Sequence, residues 1–160
     1  MKQKHAAILV IILVLDQLSK ILVDSKMALG QSIPVIDGFF HITYAHNTGA
    51  AWSMLEGKTM LFALIALIAI IVMFYFYRNL KPTEVLVRWG IILMMAGAAG
   101  NLIDRVVYQY VRDFFDFIIF NYDFPIFNIA DMSLCIGVGL IILDVGKEYF
   151  ESIGAVKKHE

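Results

Sequence analysis

Only one cysteine, Cys135, occurs in 160 residues, so neither an intramolecular disulfide nor a multi-cysteine zinc site can form. Proline is scarce at three residues and no Ser- or Gln-rich stretch occurs, which argues against a disordered chain. Charge is scarce too: 17% of residues are Asp, Glu, Lys or Arg, against about 25% in ordinary soluble domains. A net charge of −1 removes the electrostatic case for binding nucleic acid. What remains is apolar. Hydrophobic residues make up 60% of the chain and the mean hydropathy is +0.75, too much apolar surface for a domain this short to hide from water. The composition is that of an integral membrane protein, read as a single domain over 1–160.

Four segments approach the roughly 20 mostly apolar residues that a membrane helix needs: 6–23, 60–77, 86–103 and 128–145. The first carries Asp16 and Lys20, the second no charge, the third Arg88 near its end, and the fourth Asp131 early and Asp144 late. The basic start followed by Ala6 to Leu15 is also the pattern of a cleavable signal peptide, with Ala28-Leu29-Gly30 as a small-x-small site. Asp16 and Lys20 interrupt that pattern, so a retained helix is expected. Lys2, Lys4, Arg78, Lys81, Arg88, Lys147, Lys157 and Lys158 fall on the side of the termini; Lys26, Lys58, Arg105 and Arg112 fall on the other. Under the positive-inside rule the termini are cytoplasmic and connections 24–59 and 104–127 face outward. In the first connection, Asp37-Gly38 between Ser32–Ile36 and Phe39–Tyr44 is a hairpin signal. The second is dense in aromatics from Tyr108 to Phe124, which suits the headgroup boundary. The expected fold class is an all-α membrane protein, a four-transmembrane-helix bundle with a small β-sheet and a short interfacial helix on the outer side.

Ionisable residues at bilayer depth are costly and each raises a functional question. Asp16 and Lys20 are four apart on one helical face and can form an ion pair that docks the first helix in the bundle. Gly97, Gly100, Asn101, Asp104 and Arg105 share one face of the third helix. Their glycines admit a close neighbour, but packing alone leaves Asn101 and Asp104 unexplained. Asn47-Thr48-Gly49 before the second helix is a common turn pattern. Asp131, three residues after Asn128, reads by itself as part of a capping box at a helix start. Asp113 reads by itself as a loop carboxylate. Together, though, the two would sit at one membrane level. Two carboxylates in a low-dielectric pocket cannot both ionise; one can then take a proton from an attacking water while the other polarises a carbonyl. His41 and His46 are five apart in a strand and would point to opposite faces, which makes a poor metal site. No binding motif for a metal or organic cofactor is present, and none is expected.

Five blocks in order resemble the bacterial lipoprotein signal peptidases, the signal peptidase II family: Asp16 to Lys20 its D-x-x-x-K, Asn47 to Trp52 its N-x-G-x-A-F, Gly97 to Arg105 its G-G-x-x-G-N-x-x-D-R, Val111 to Phe114 its V-x-D-F, and Phe127 to Asp131 its F-N-x-A-D. The resemblance implies an aspartyl endopeptidase of the membrane with Asp113 and Asp131 as its catalytic pair. It would remove the signal peptide from diacylglyceryl-modified prolipoproteins, cutting just before the lipid-modified Cys at the outer face of the bacterial cytoplasmic membrane. It implies substrate-holding or supporting roles for Asn47, Gly49, Asn101, Asp104, Arg105, Asn128, Asp16 and Lys20, the last two with Asp104 and Asn128 as polar residues of the same cavity. The expected partners are the prolipoproteins and membrane lipids, not nucleic acid, and the chain is expected to act as a monomer. Trp52 stands where the family has Phe, Ala96 where it commonly has Gly, and Arg112 adds a cation beside Asp113. The alternatives are a small carrier or proton channel with an Asp/Lys relay, and a lipid-binding assembly subunit. Against a carrier, the second span holds no polar relay, and the polar residues gather at one level.

Overall fold

In a computed structural model that describes residues 3–49 and 57–156, four long helices carry a four-stranded sheet. The helices are α1 (Gln3–Lys26), α2 (Thr59–Asn79), α3 (Val85–Tyr108) and α4 (Ile129–Val156). The first three contain their expected spans and extend beyond them, α4 starts one residue later than expected and runs on past its span, and each is long and apolar enough to cross a membrane. Their burial is inverted relative to a soluble bundle. Along α1, Val10, Ile11, Val14, Leu15, Leu18, Ile21 and Leu22 are exposed, while the buried residues are His5, Asp16, Lys20 and Val23. α2 exposes nearly its whole apolar surface, so the solvent of these helices is lipid.

α3 is the central helix, buried along Ile91, Ile92, Met95–Ala98, Gly100, Asn101 and Asp104, and every other helix packs on it. Its closest partner is α4, and glycine makes that approach possible. A Cβ at Gly97 would stand 2.3 Å from the Ala130 carbonyl oxygen, and one at Gly100 would stand 2.5 Å from Asp16 Oδ2. The small residues of α3 thus draw both α1 and the start of α4 against one short stretch.

The sheet runs β1 (Ser32–Ile36), β2 (Phe40–Asn47), β3 (Val111–Ile119) and β4 (Tyr122–Asp123), antiparallel and in that spatial order. The Asp37-Gly38 hairpin forms as expected, with Gly38 at φ +69°. The short interfacial helix expected on the outer side is not found among the described residues, and the aromatic second connection forms strand instead. Val111–Ile119 is a strand, turned back at Phe120 and Asn121 (φ 50° and 63°). The reason is pairing: backbone groups of Phe117, Phe115 and Asp113 meet Phe40, Ile42 and Ala45 of β2, a partner no local pattern specifies. Between Ile42 and Ala45 the register shifts, so Thr43 and Tyr44 lie opposite Phe114 alone, a bulge beside Asp113.

Candidate active site

Tyr44 fastens β2 to the end of α1. Its hydroxyl donates to Asp24 Oδ1 (2.6 Å), and His46 Nε2 lies 2.9 Å from the same hydroxyl. Because the tyrosine proton goes to the carboxylate, His46 must donate through Nε2. Burial and the Asp24 carboxylate hold the Tyr44 hydroxyl well above its ordinary value, so it remains a donor. His46 also stacks on Tyr110 at 3.6 Å, and His41 lies farther along β2 opposite Asp116. The next residue along the strand, Asn47, faces the other way, toward Asp113.

Asp113 on β3 and Asp131 in the first turn of α4 line one cavity of about 350 Å3 together with Asn47, Asn101 and Arg105. Its apolar wall is Val111, the Phe124–Phe127 segment, Leu134 and Cys135. Among the described residues, each carboxylate oxygen receives one protein donor. Asn47 Nδ2 donates to Asp113 Oδ2 (3.1 Å) and Asn128 Nδ2 to Asp113 Oδ1 (2.6 Å). Asn101 Nδ2 donates to Asp131 Oδ1 (2.7 Å), and the Asn128 backbone N–H donates to Asp131 Oδ2 (3.2 Å).

Three asparagines supply these donors, and in each the amide orientation is forced by what its oxygen accepts. Asn47 Oδ1 accepts the Gly49 N–H at 3.0 Å. Asn128 Oδ1 accepts the Asp131 N–H at 3.0 Å; with the return bond from the Asn128 N–H, this is the reciprocal capping box expected from the spacing. Asn101 Oδ1 accepts from Lys20 Nζ (3.0 Å) and Asn128 Nδ2 (3.1 Å), so its own NH2 group turns to Asp131. Lys20 has only protons to give, and its burial therefore fixes a neighbour's orientation.

Behind the cavity lies a buried ring of four charges. Lys20 Nζ is 2.9 Å from Asp16 Oδ2 and 3.5 Å from Asp104 Oδ2. Arg112 Nη2 is 2.8 Å from Asp104 Oδ1, and Arg112 Nε and backbone N–H both reach Asp104 Oδ2, at 3.2 and 3.0 Å. Asp16 Oδ1 accepts the Ala130 N–H at 2.9 Å, so α1 caps the start of α4. Two anions and two cations cancel, which is what burial of this ring at bilayer depth requires.

The structure therefore separates the expected residues into two layers. Asp113, Asp131, Asn47, Asn101 and Arg105 line the cavity; Asn128, Asp16, Lys20 and Asp104 stand behind it rather than facing into it. Gly49 joins through its backbone, its carbonyl accepting from Arg105 Nη2 at 3.4 Å. Ala50, Ala51 and Trp52 of the same block lie outside the described residues. Arg112 turns away from Asp113, drawn by Asp104, with its guanidinium 4.3 Å above the Tyr108 ring. Sequence reading missed Gln17, which bridges Asp16, the Gly100 carbonyl and Asp104 through Nε2 and accepts from Arg112 Nη2 through Oε1. Its sole signal was a polar residue at bilayer depth beside Asp16.

Burial pushes the Asp113 carboxyl up to about 7, helped by the charge of Asp131 and opposed by the Asn47 and Asn128 donors. Among the described residues Arg105 is the cation lining the cavity. One proton shared between the two aspartates leaves the pair at −1, which this guanidinium balances. The arrangement supplies an acid, a base and a charge-neutral cavity open to an apolar wall, the requirements for hydrolysing a peptide bond without a nucleophilic side chain.

Residues 8–147 match the family described as signal peptidase (SPase) II. The chain is 48% identical over 145 residues to the lipoprotein signal peptidase of Bacillus subtilis (strain 168), covering 88% of this chain and 94% of that one. It is 45% identical over 141 residues to the lipoprotein signal peptidase of Staphylococcus aureus (strain bovine RF122 / ET3-1), covering 88% and 86%. A solved bacterial membrane enzyme structure, obtained by the in meso method at 2.3 Å resolution, superposes with a TM-score of 0.88 at 42% identity over 93% of this chain and 91% of that one. A second, at 1.9 Å resolution, gives 0.80 at 43% identity over 91% and 94%.

Proposed function

Because this chain belongs to the signal peptidase II family, we propose that Asp113 and Asp131 are the catalytic pair with which it removes signal peptides from prolipoproteins. The observation that carries the assignment is the tethering of all four carboxylate oxygens, each held by a donor from the described residues, around one cavity. Asp113, whose carboxyl is pushed up to about 7, holds the shared proton and polarises the scissile carbonyl. Asp131 takes a proton from the attacking water, and Arg105 balances the charge of the pair. The proton then passes to the leaving amine, and the pair returns to its singly protonated state.

The cut falls immediately before a Cys bearing a diacylglyceryl group, and the apolar wall of Val111, Phe127, Leu134 and Cys135 is suited to receive lipid-anchored chain from the side. The chain is one membrane protease domain over 1–160 and acts as a monomer, with both termini cytoplasmic and the aspartates at the outer face. Membrane lipids solvate the exposed faces of α1 and α2.

The test is a gel-shift cleavage assay with a diacylglyceryl-modified prolipoprotein in lipid micelles. Wild type is expected to cleave. Asp113→Asn and Asp131→Asn, both folded, are each expected to lose at least about 100-fold in rate, the lower bound for a general acid or base. Cleavage that survives either substitution removes that aspartate from the chemistry.

A further inference from the structure

Some 17 residues along α3 from Arg105, or about 25 Å at 1.5 Å per residue, the other end of the bundle holds a second polar cluster. The start of α1, the end of α2 and the start of α3 meet there around a cleft of about 50 Å3 lined by Lys4, His5, Pro82, Val85, Arg88 and Trp89. No acid lines it among the described residues, and neither α1 nor α3 has an acid in its first turn. Glu84, at the N-cap of α3, makes no side-chain cap; its carboxylate instead accepts the Lys81 N–H.

Arg88 is the central group. Its Nη1 donates to the carbonyls of Leu80 and Lys81, which follow the end of α2, and its guanidinium carbon lies 4.7 Å above the Tyr77 ring. Its Nε is buried and has no hydrogen-bond partner among the described residues. The His5 ring is held by Tyr77 (Nδ1 to hydroxyl, 2.5 Å) and packs edge-on against Trp89. A buried cationic donor without an acceptor is costly unless a ligand supplies one. Lys4 and the start of α3, which has no side-chain cap, add positive potential at the same place.

We propose that this cleft is a phosphate-binding site, filled in the membrane by the headgroup of an anionic lipid. At about 10–15 Å3 per water-sized group, a 50 Å3 cleft holds three to five such groups, the oxygens of one phosphate. The Arg88 guanidinium and Lys4 Nζ, both lining the cleft, are its donors, and Trp89 packs against the glycerol region, as aromatic rings do at the lipid–water boundary. Arg78 and Lys81, on the same end of the bundle, add to the field that draws anionic lipid to this leaflet.

The experiment uses the full chain carrying Trp52→Phe, so that Trp89 is the sole tryptophan, in neutral detergent micelles. Brominated phosphatidylglycerol and brominated phosphatidylcholine are titrated in while Trp89 fluorescence is read. Quenching by phosphatidylglycerol is expected at a concentration at least about fivefold lower, the order of one cationic contact. Arg88→Gln is expected to erase the preference and Lys4→Gln to reduce it, with cleavage at the distant aspartates retained as the check on folding. Lys4 is exposed and keeps the test valid if Arg88→Gln fails to fold. Competition by millimolar inorganic phosphate would make free phosphate a ligand as well; its failure to compete restricts the site to lipid. Equal quenching by the two lipids, or a preference unchanged in both variants, overturns the proposal.

Discussion

Asp113 sets the pH dependence at the scale of single residues. Its carboxyl is pushed up to about 7 by burial and by the charge of Asp131, so raising the pH through about 7 strips the proton proposed to polarise the carbonyl. The rate of cleavage is therefore expected to fall on the alkaline side of 7. Asn47 donates to the ionised carboxylate and holds the value down; Asn47→Ala is expected to move that limb upward in pH, read from the pH profile of kcat/KM. Stability carries the same sign. A carboxyl raised in the folded state binds its proton more tightly than in the unfolded chain, where it titrates near 4. The fold is thus stabilised at low pH and loses that contribution as pH rises from about 4 to 7. Asp113→Asn cannot ionise, so its Tm is expected to exceed that of wild type at pH 8 and to match it only at or below about pH 4. A Tm gap that does not grow with pH would show that Asp113 titrates normally.

Among elements, the contact of α3 with the start of α4 is the one on which the site depends. A methyl group at Gly97 would press on the Ala130 carbonyl, one residue from Asp131, whereas one at Gly139 meets nothing within 4 Å. Gly97→Ala is expected to destabilise by about 1–3 kcal/mol, in the range of core overpacking. Gly139→Ala should be neutral or stabilising by up to about 1 kcal/mol through helix propensity. Unfolding of both variants in mixed micelles, alongside the cleavage assay, checks this; equal stability of the two would deny that Gly97 sets the approach. The elements also differ in how far sequence disclosed them. The capping box of Asn128 and Asp131 and the ion pair of Asp16 and Lys20 were legible because both are set by spacing within one helix turn. The hairpin at Asp37-Gly38 was legible through its turn chemistry. β3 was not, because Phe114, Phe115 and Phe117 to Phe120 show no alternation, and their strand character comes from β2, some 70 residues earlier. The direction of Arg112 was set by Asp104 and by Gln17, 95 residues away, which no local pattern contains.

The whole molecule places charge in three tiers: the aspartate pair with Arg105, the neutral ring behind it, and the basic cleft at the far end. The orientation proposed from the basic residues is open to a direct check. In a Cys135→Ser background, a single cysteine at Asp37, on the β1–β2 hairpin, is expected to react with a membrane-impermeant thiol reagent on intact cells. One at Lys81, between α2 and α3, should react only after lysis. The reverse pattern would invert the molecule. Family membership was legible because its five blocks span the chain from Asp16 to Asp131 in order. The two-layer division of the polar residues was not, since lining and backing positions on α3 differ by a single turn.

The bond network around Asn128 also has a consequence in time. The side chain that starts α4 is the one that steadies Asp113, and the backbone that α4 presents to Asp16 leads directly into Asp131. α4 leaves the ribosome after α1, α2 and α3. Until it is inserted and seated against Gly97 and Gly100, the growing chain has one aspartate of the proposed pair, Asp113, with neither Asp131 nor Asn128 in place beside it. With Asp113 and Asp131 as the proposed pair, the first three inserted helices are expected to be inert, proteolytic capacity beginning only with the insertion of α4.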